Sequence, residues 1–362
     1  MRLQLAILMT EQQGVFRRRQ AVAAGYSRPD VERFIRNDSW VPVRHGIYTT
    51  ADRLASAATS VREAHLLAAA ARRLAVGGDT VVSHESAACF HRIDLLDPLP
   101  TEPRLTLHRP AGAGRMTAHG LYVAQVPPEH RLPGGRVTTA ARGVADCART
   151  LELDAAFVTV ESALRLGLDR RSIIRVLSAC SGWPGANQAR DLVMLADPWS
   201  ESALESLARL WFVAQGLPRP FQQRNVLRLD GRFVARVDFV WPQFRTVCEV
   251  DGRVKYEDPI GPADATRKAN PLWRVTYDDT ISPAGSSRKD NPLWREKLRE
   301  DDVRDLGLEV ARGTWRDRAD EGAALAARLR RAFVRGQRAV GEPAYQLVAP
   351  QLPRWQPLAA AS

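Results

Sequence analysis

A single carboxylate in the middle of an apolar strand is hard to accommodate in any fold, and residues 228–252 contain two such strands in succession. Asp230-Gly231 is a tight hairpin-turn pair. The strand after it carries Asp238 among Val237, Phe239, Val240 and Trp241. A second turn at Pro242-Gln243 leads into Thr246–Val250, which holds Glu249 and runs into Asp251. Burying a lone carboxylate is costly unless it is paired or bound to a cation. Adjacent strands that each carry one point to a shared divalent ion. Glu249 and Asp251 are two apart, so they leave the same face of a strand. Asp238 sits one short turn earlier, so the three carboxylates can converge on one point. Hard oxygen ligands that leave water positions open suit magnesium or manganese. Such an ion activates water and stabilises charge developing on a phosphate under attack.

Each residue also has a plainer reading. Arg236 is placed to pair with Asp238 as a structural salt bridge. Asp251-Gly252 reads equally as an ordinary turn. Glu205 stands three residues after Ser202, the spacing of a helix capping box.

The pattern resembles the PD-(D/E)XK nuclease superfamily, whose hairpin carries Asp on one strand and Glu-x-Lys on the next. Asp238-Phe-Val-Trp241 and Glu249-Val-Asp-Gly-Arg253 are similar to small bacterial nuclease-like domains related to the very-short-patch-repair endonucleases. Ser202-Ala-Leu-Glu205 matches that group's upstream helix with its glutamate. Trp294–Leu306 and Leu308–Arg312 match its closing helix and strand, so the resemblance covers about 200–316. It implies a metal held by Asp238 and Glu249, with Asp251, the further ligand candidate from spacing, or Glu205 assisting and Lys255 or Arg253 stabilising charge. One departure stands out: Asp251 occupies the place of the superfamily's Lys. Arg253 or Lys255 reaches in from the next turn to take the Lys role, or Asp251 is a third ligand, or the site is degenerate and the domain only binds.

The rest of the chain favours nucleic acid as partner. Net charge is +11, with a pI near 10.1, which selects for an anionic partner. Arg is heavily used in place of Lys, and Ala is abundant, so part of that charge reflects composition. Cys89, Cys147, Cys180 and Cys248 are widely spaced, with no C-x-x-C pair, so neither zinc nor a disulfide framework is indicated. Met1–Thr10 has one charge and a short apolar run but no long apolar segment or cleavage site. No stretch approaches the ~20 apolar residues of a membrane span. The expectation is a reduced, cytoplasmic protein that does not engage membranes.

Residues 1–50 read as a winged helix-turn-helix. Gly14-Val-Phe-Arg17 leads into a helix over Arg18–Ala24, Gly25 turns, and Ser27 caps a second helix with Asp30 at the capping-box position. Val31, Phe34 and Ile35 share that helix's inner face, leaving Arg28, Arg33, Arg36 and Asn37 outside. Trp40–Tyr48 forms two short strands around a turn, a wing that presents Arg44. A helix with outward Arg and Asn can enter a major groove. Gly14-Val-Phe, the Ala-rich turn at Gly25 and Trp40-Val-Pro-Val-Arg-His-Gly-Ile-Tyr48 resemble the N-terminal domain of AbiEi-family antitoxins of type IV toxin–antitoxin systems. That resemblance implies double-stranded DNA as ligand, autorepression, and a cognate toxin as partner.

The middle, 51–199, is α-rich. Helices are expected at Val61–Val76, from Ser83 to His91, and at Ala141–Leu151, Ala155–Gly167, Arg171–Ala179 and Gly185–Leu195. Strands are expected at Arg104–His108, Leu121–Val126 and Arg136–Thr139. Ser83-His84 with Ser86, and Val137-Thr-Thr with Asp146, resemble the segment after the winged helix in AbiEi-like proteins. His84 and His91 lie two helical turns apart, too far for one ion. Arg267-Lys-Ala-Asn-Pro-Leu-Trp-Arg274 recurs as Arg288-Lys-Asp-Asn-Pro-Leu-Trp-Arg295, a short local duplication inside an insert over 257–293 that carries Trp273.

The expected architecture is therefore an α+β multidomain chain. It has a winged helix-turn-helix at 1–50, an α-rich AbiEi-like region at 51–199, and a restriction-endonuclease-like α/β domain with a central mixed sheet at 200–335. A disordered tail is expected over 336–362. The expected function is metal-dependent hydrolysis of DNA phosphodiesters, with Mg2+ or Mn2+. The alternative is an antitoxin-like transcriptional regulator whose nuclease fold is catalytically inactive.

Overall fold

The computed structural model describes residues 1–251, 292–339 and 341–349, with side chains of the second stretch from Arg299 onward. It is a mixed α/β chain with several sheets. The 257–293 insert, apart from the backbone of 292–293, lies outside the described residues, as do Arg253 and Lys255.

The N-terminal elements are α1 (Leu3–Glu11), β1 (Phe16–Arg17), α2 (Arg18–Ala23), α3 (Arg28–Arg36), β2 (Trp40–Arg44) and β3 (Ile47–Thr50), with strand order β1-β3-β2. Ser27 Oγ accepts the Asp30 N–H at 3.2 Å, and the Asp30 carboxylate accepts the Ser27 N–H, so the capping box starts α3 where the spacing predicts. Val31 is fully buried, and Phe34 and Ile35 pack beside it against Phe16, Tyr26 and Trp40. Phe34 stacks on Trp40 at 4.9 Å, and Phe16 meets Trp40 edge-on at 4.8 Å. The apolar opening run is helical: α1 closes this core with Leu5 and Met9.

The middle contains α4 (Ala51–Ala57), α5 (Val61–Val76), β4 (Thr80–Val82), α6 (His84–Phe90), β5 (Leu105–His108), β6 (Ala113–Ala118), β7 (Leu121–Ala124), α7 (Ala140–Thr150), α8 (Leu153–Arg165), α9 (Arg170–Ala179) and α10 (Ala186–Leu195). Its sheet runs β4-β5-β7-β6. Two of these strands, β4 and β6, had no sequence signal. The strand expected at Arg136–Thr139 is reduced to bridges from Val137 to Val82 and from Thr138 to Arg131. Thr139 instead caps α7, its Oγ1 accepting the Arg142 N–H at 3.4 Å, so the chain leaves the sheet there. Asp146 is buried between Arg142 and Arg149 at 2.8 and 3.2 Å.

The C-terminal elements are α11 (Ala203–Ala214), β8 (Phe221–Arg228), β9 (Phe233–Trp241), β10 (Thr246–Asp251), α12 (Pro292–Asp305), β11 (Glu309–Thr314), α13 (Ala323–Gln337) and β12 (Tyr345–Val348). The sheet order is β11-β10-β9-β8-β12, with β10 and β11 parallel and the other pairs antiparallel. Phe239, Trp241, Cys248 and Val250 pack against α11 and α13, whereas Val240 and Val247 pack with Val303 and Leu306 at the end of α12. Of the tail expected to be disordered over 336–362, positions 340 and 350–362 lie outside the described residues, and the part described is ordered into elements. Residues 336–337 complete α13, and Tyr345–Val348 pair with Asn225–Arg228 to cover the β8 edge. Alternation of Tyr345 and Leu347 toward the core supplies the apolar face that a Pro-rich reading hides. The middle and C-terminal elements meet through α8 and α11, where Glu161 accepts Arg209 Nε at 2.8 Å, both side chains buried.

Candidate functional site

The Pro242–Phe244 turn joins β9 to β10 in the register Trp241↔Thr246, Val240↔Val247 and Phe239↔Cys248. Asp238 and Glu249 are the next pair in that register, on adjacent antiparallel strands as expected. The ladder stops there. Asp238 Oδ2 accepts the Val250 N–H at 2.8 Å, and Oδ1 accepts from Gln223 Nε2 at 3.2 Å. Glu205 reaches the same place from the first turn of α11. Its N–H is capped by Ser202 Oγ at 3.2 Å, while Oε2 accepts from Glu201 N and Gln223 Nε2, both at 2.8 Å. The capping and site roles of Glu205 therefore coexist. Arg236 does not pair with Asp238: its Nε donates to Gln223 Oε1 at 2.7 Å and it bridges to Glu201.

The three acids stay close to one another with little compensating charge. Burial first, and the Asp238 charge next, push Glu205 up to about 7 and Glu249 up to about 8. Burial also raises Asp238. Two guanidinium groups approach from α12 and β11. Arg299 Nη2 lies 4.0 Å from Glu249 Oε2, and both line a small cleft with Glu300, Val303 and Arg312. Arg312, opposite Glu249 in the β10–β11 register, binds Asp251 at 3.0 Å and Glu300 at 2.6 Å. A larger cleft of about 340 Å³ continues from Arg312 past Arg304, Arg328, Arg331 and Arg335.

As a donor set for a divalent ion, these residues are right in chemistry and wrong in arrangement. Carboxylate oxygens suit a hard cation, and burial with raised proton affinity would be relieved by one. However, Gln223 takes the lone pairs by which Glu205 and Asp238 face each other, and Asp251 is held by Arg312. Among the described residues no three His, Cys, Asp or Glu side chains are gathered to hold a metal. The arrangement does not fit a bound ion.

Sequence reasoning missed Gln223, Arg299, Glu300 and Arg312. Gln223 carried a weak signal, an amide doublet with Gln222 in a strand that leads to a hairpin. The others come from elements beyond the insert, with no local mark. His84 and His91 belong to the middle core: His84 stacks on Tyr122 at 3.6 Å, and His91 Nε2 bonds the Thr138 carbonyl at 2.8 Å.

Arg28, Arg33 and Arg36 of α3 and Asn37 just after it are all exposed; Arg33 and Arg36 lie on the side away from Val31, and Arg28 stands at the helix start on Val31's side. Arg33 leans on Asp30 at 2.9 Å. Arg44 of β2 is exposed but pairs with Glu102 at 3.2 Å.

Residues 5–51 match the model of a domain family described as transcriptional regulator, AbiEi antitoxin, which places a regulator domain at this end of the chain. Over 246 residues, 67% of this chain and 83% of the other, the sequence is 31% identical to uncharacterized proteins from two strains of Mycobacterium tuberculosis. The chain belongs to the family of those mycobacterial proteins. Among the described residues no helix is long and apolar enough to cross a membrane.

Proposed function

We propose that this protein is a DNA-binding transcriptional regulator that reads duplex DNA through a winged helix-turn-helix formed by α2, α3 and the β2–β3 wing. One observation carries the reading: the regulator-domain match falls on the segment where α3 turns Arg33 and Arg36 away from its apolar face, with Arg28 at its start and Asn37 at its end also exposed. Such a helix can sit in a major groove, where Arg and Asn side chains reach base edges and phosphates. Arg44 would exchange Glu102 for a phosphate. The AbiEi match also supports a cognate toxin as a protein partner. The test is fluorescence anisotropy of the full chain on a duplex from the gene's own upstream region, across a salt series. Binding that is absent, or unchanged by salt, would remove this reading.

The C-terminal sheet, flanked by helices and with Glu205, Asp238 and Glu249 at its broken ladder, supports a restriction-endonuclease-like domain. A second reading, metal-dependent DNA endonuclease, is favoured by those three acids, Glu205 buried and Asp238 and Glu249 partly buried, beside an Arg-lined cleft. Plasmid nicking in magnesium, wild type against Asp238→Ala, decides between the readings. Nicking lost in the variant supports the enzyme, and no nicking by either with DNA binding intact supports the regulator alone.

A further inference from the structure

Gln223 is the buried residue around which the acid cluster is organised. Both hydrogens of its carboxamide nitrogen are used: Nε2 donates to Glu205 Oε2 at 2.8 Å and to Asp238 Oδ1 at 3.2 Å. The amide cannot be turned over, because Oε1 would then face two carboxylate oxygens. It is locked instead by Arg236, whose Nε donates to Oε1 at 2.7 Å and whose guanidinium is tied to Glu201. The backbone supports the same placement. Gln223 has φ +48°, a left-handed conformation that non-glycine residues adopt at a cost of about 1 kcal/mol or more. Gln222 pairs with Phe239 and Arg224 with Val237, so Gln223 is the step of β8 directly beside Asp238.

Two carboxylates directed at one point are the usual environment of a cation. Here that point holds a neutral amide. We infer that the Gln223 carboxamide occupies the position between Glu205 and Asp238 that a divalent ion would take, so that this chain closes its own acid site to metal. The inference rests on reading the C-terminal domain as endonuclease-like. It predicts that metal affinity is limited by a side chain and not by the acids.

The test is manganese binding to the full chain by titration calorimetry, with thermal melts alongside. Gln223→Ala opens the point, and Gln223→Met keeps the volume while removing both donors. Either variant should bind manganese roughly tenfold or more tightly than wild type and should melt higher with manganese. Adding Asp238→Ala to either should erase the gain. Wild type that binds as tightly as the Gln223 variants, with loss on Asp238→Ala alone, overturns the inference while leaving a metal site. No binding by any folded variant overturns both. A melting rise with manganese in wild type, lost in Asp238→Ala, overturns the inference even if neither Gln223 variant folds.

Discussion

Asp238 Oδ2 accepts the backbone N–H of Val250 at 2.8 Å, at the step where β9 and β10 stop exchanging main-chain bonds. A side chain thus satisfies a donor that the ladder leaves over, and the carboxylate is anchored at the opening between the strands. Asp238→Ala removes that acceptor and should cost about 1–3 kcal/mol from the stranded amide. Asp238→Asn keeps an acceptor and removes the charge that Glu205 and Glu249 feel. Urea melts near pH 8 should therefore rank Asn above Ala.

The raised acids give the pH dependence a definite sign. Glu205 and Glu249 move from 4.5 to about 7 and about 8. The unfolded chain releases these protons near 4.5, and the folded chain keeps them longer. Their contribution is fully present below the unfolded value and is lost as pH rises through the folded values. Glu249→Gln should therefore gain stability relative to wild type as pH rises from about 5 to about 9. Denaturant midpoints at the two ends measure this, and a constant difference would contradict it.

On DNA, Arg33→Ala and Arg36→Ala should each weaken binding and reduce the log–log salt slope by about 1, because each removes one phosphate neutralisation. Anisotropy titrations over a salt series read the slope. An unchanged slope in the double variant would place the DNA elsewhere on the chain.

Asp146 is buried between Arg142 and Arg149, with all three side chains nearly inaccessible. Removing the acid takes from two buried guanidinium groups the carboxylate that they share. Asp146→Ala should destabilise the chain by about 3–5 kcal/mol, visible as an early thermal transition.

Gly336 lies inside α13, where alanine would ordinarily add up to ~1 kcal/mol of helix propensity. A Cβ there would collide with the carbonyl oxygen of Phe244, which is backbone and cannot swing aside. Gly336→Ala should therefore destabilise by about 1–3 kcal/mol. A variant that melts at or above wild type would show that α13 can slide on the turn.

Much of the site was legible because its signals are local. A turn pair, a capping serine or an apolar period depends on the sterics and hydrogen bonds of a few neighbouring residues. The Asp230-Gly231 hairpin, the α3 capping box and helix α5 over Val61–Val76 follow from such rules. So does the placement of Asp238 and Glu249 on neighbouring strands. Other features depend on register and on competition for buried surface, which no short window contains. Counting back from the Asp230-Gly231 turn sets Gln222 beside Asp238. The bulge between Val226 and Leu227 shifts the pairing by one and brings Gln223 there instead. Arg312 reaches Asp251 across 61 residues because β11 returns parallel to β10. Tyr345–Val348 is a strand because β8 offers an edge and the core offers room for Tyr345 and Leu347. The amino acids alone determined which acids this protein brings to one sheet. Only the packed chain decided that an amide stands between two of them, because a one-residue slip in pairing leaves no trace in local sequence.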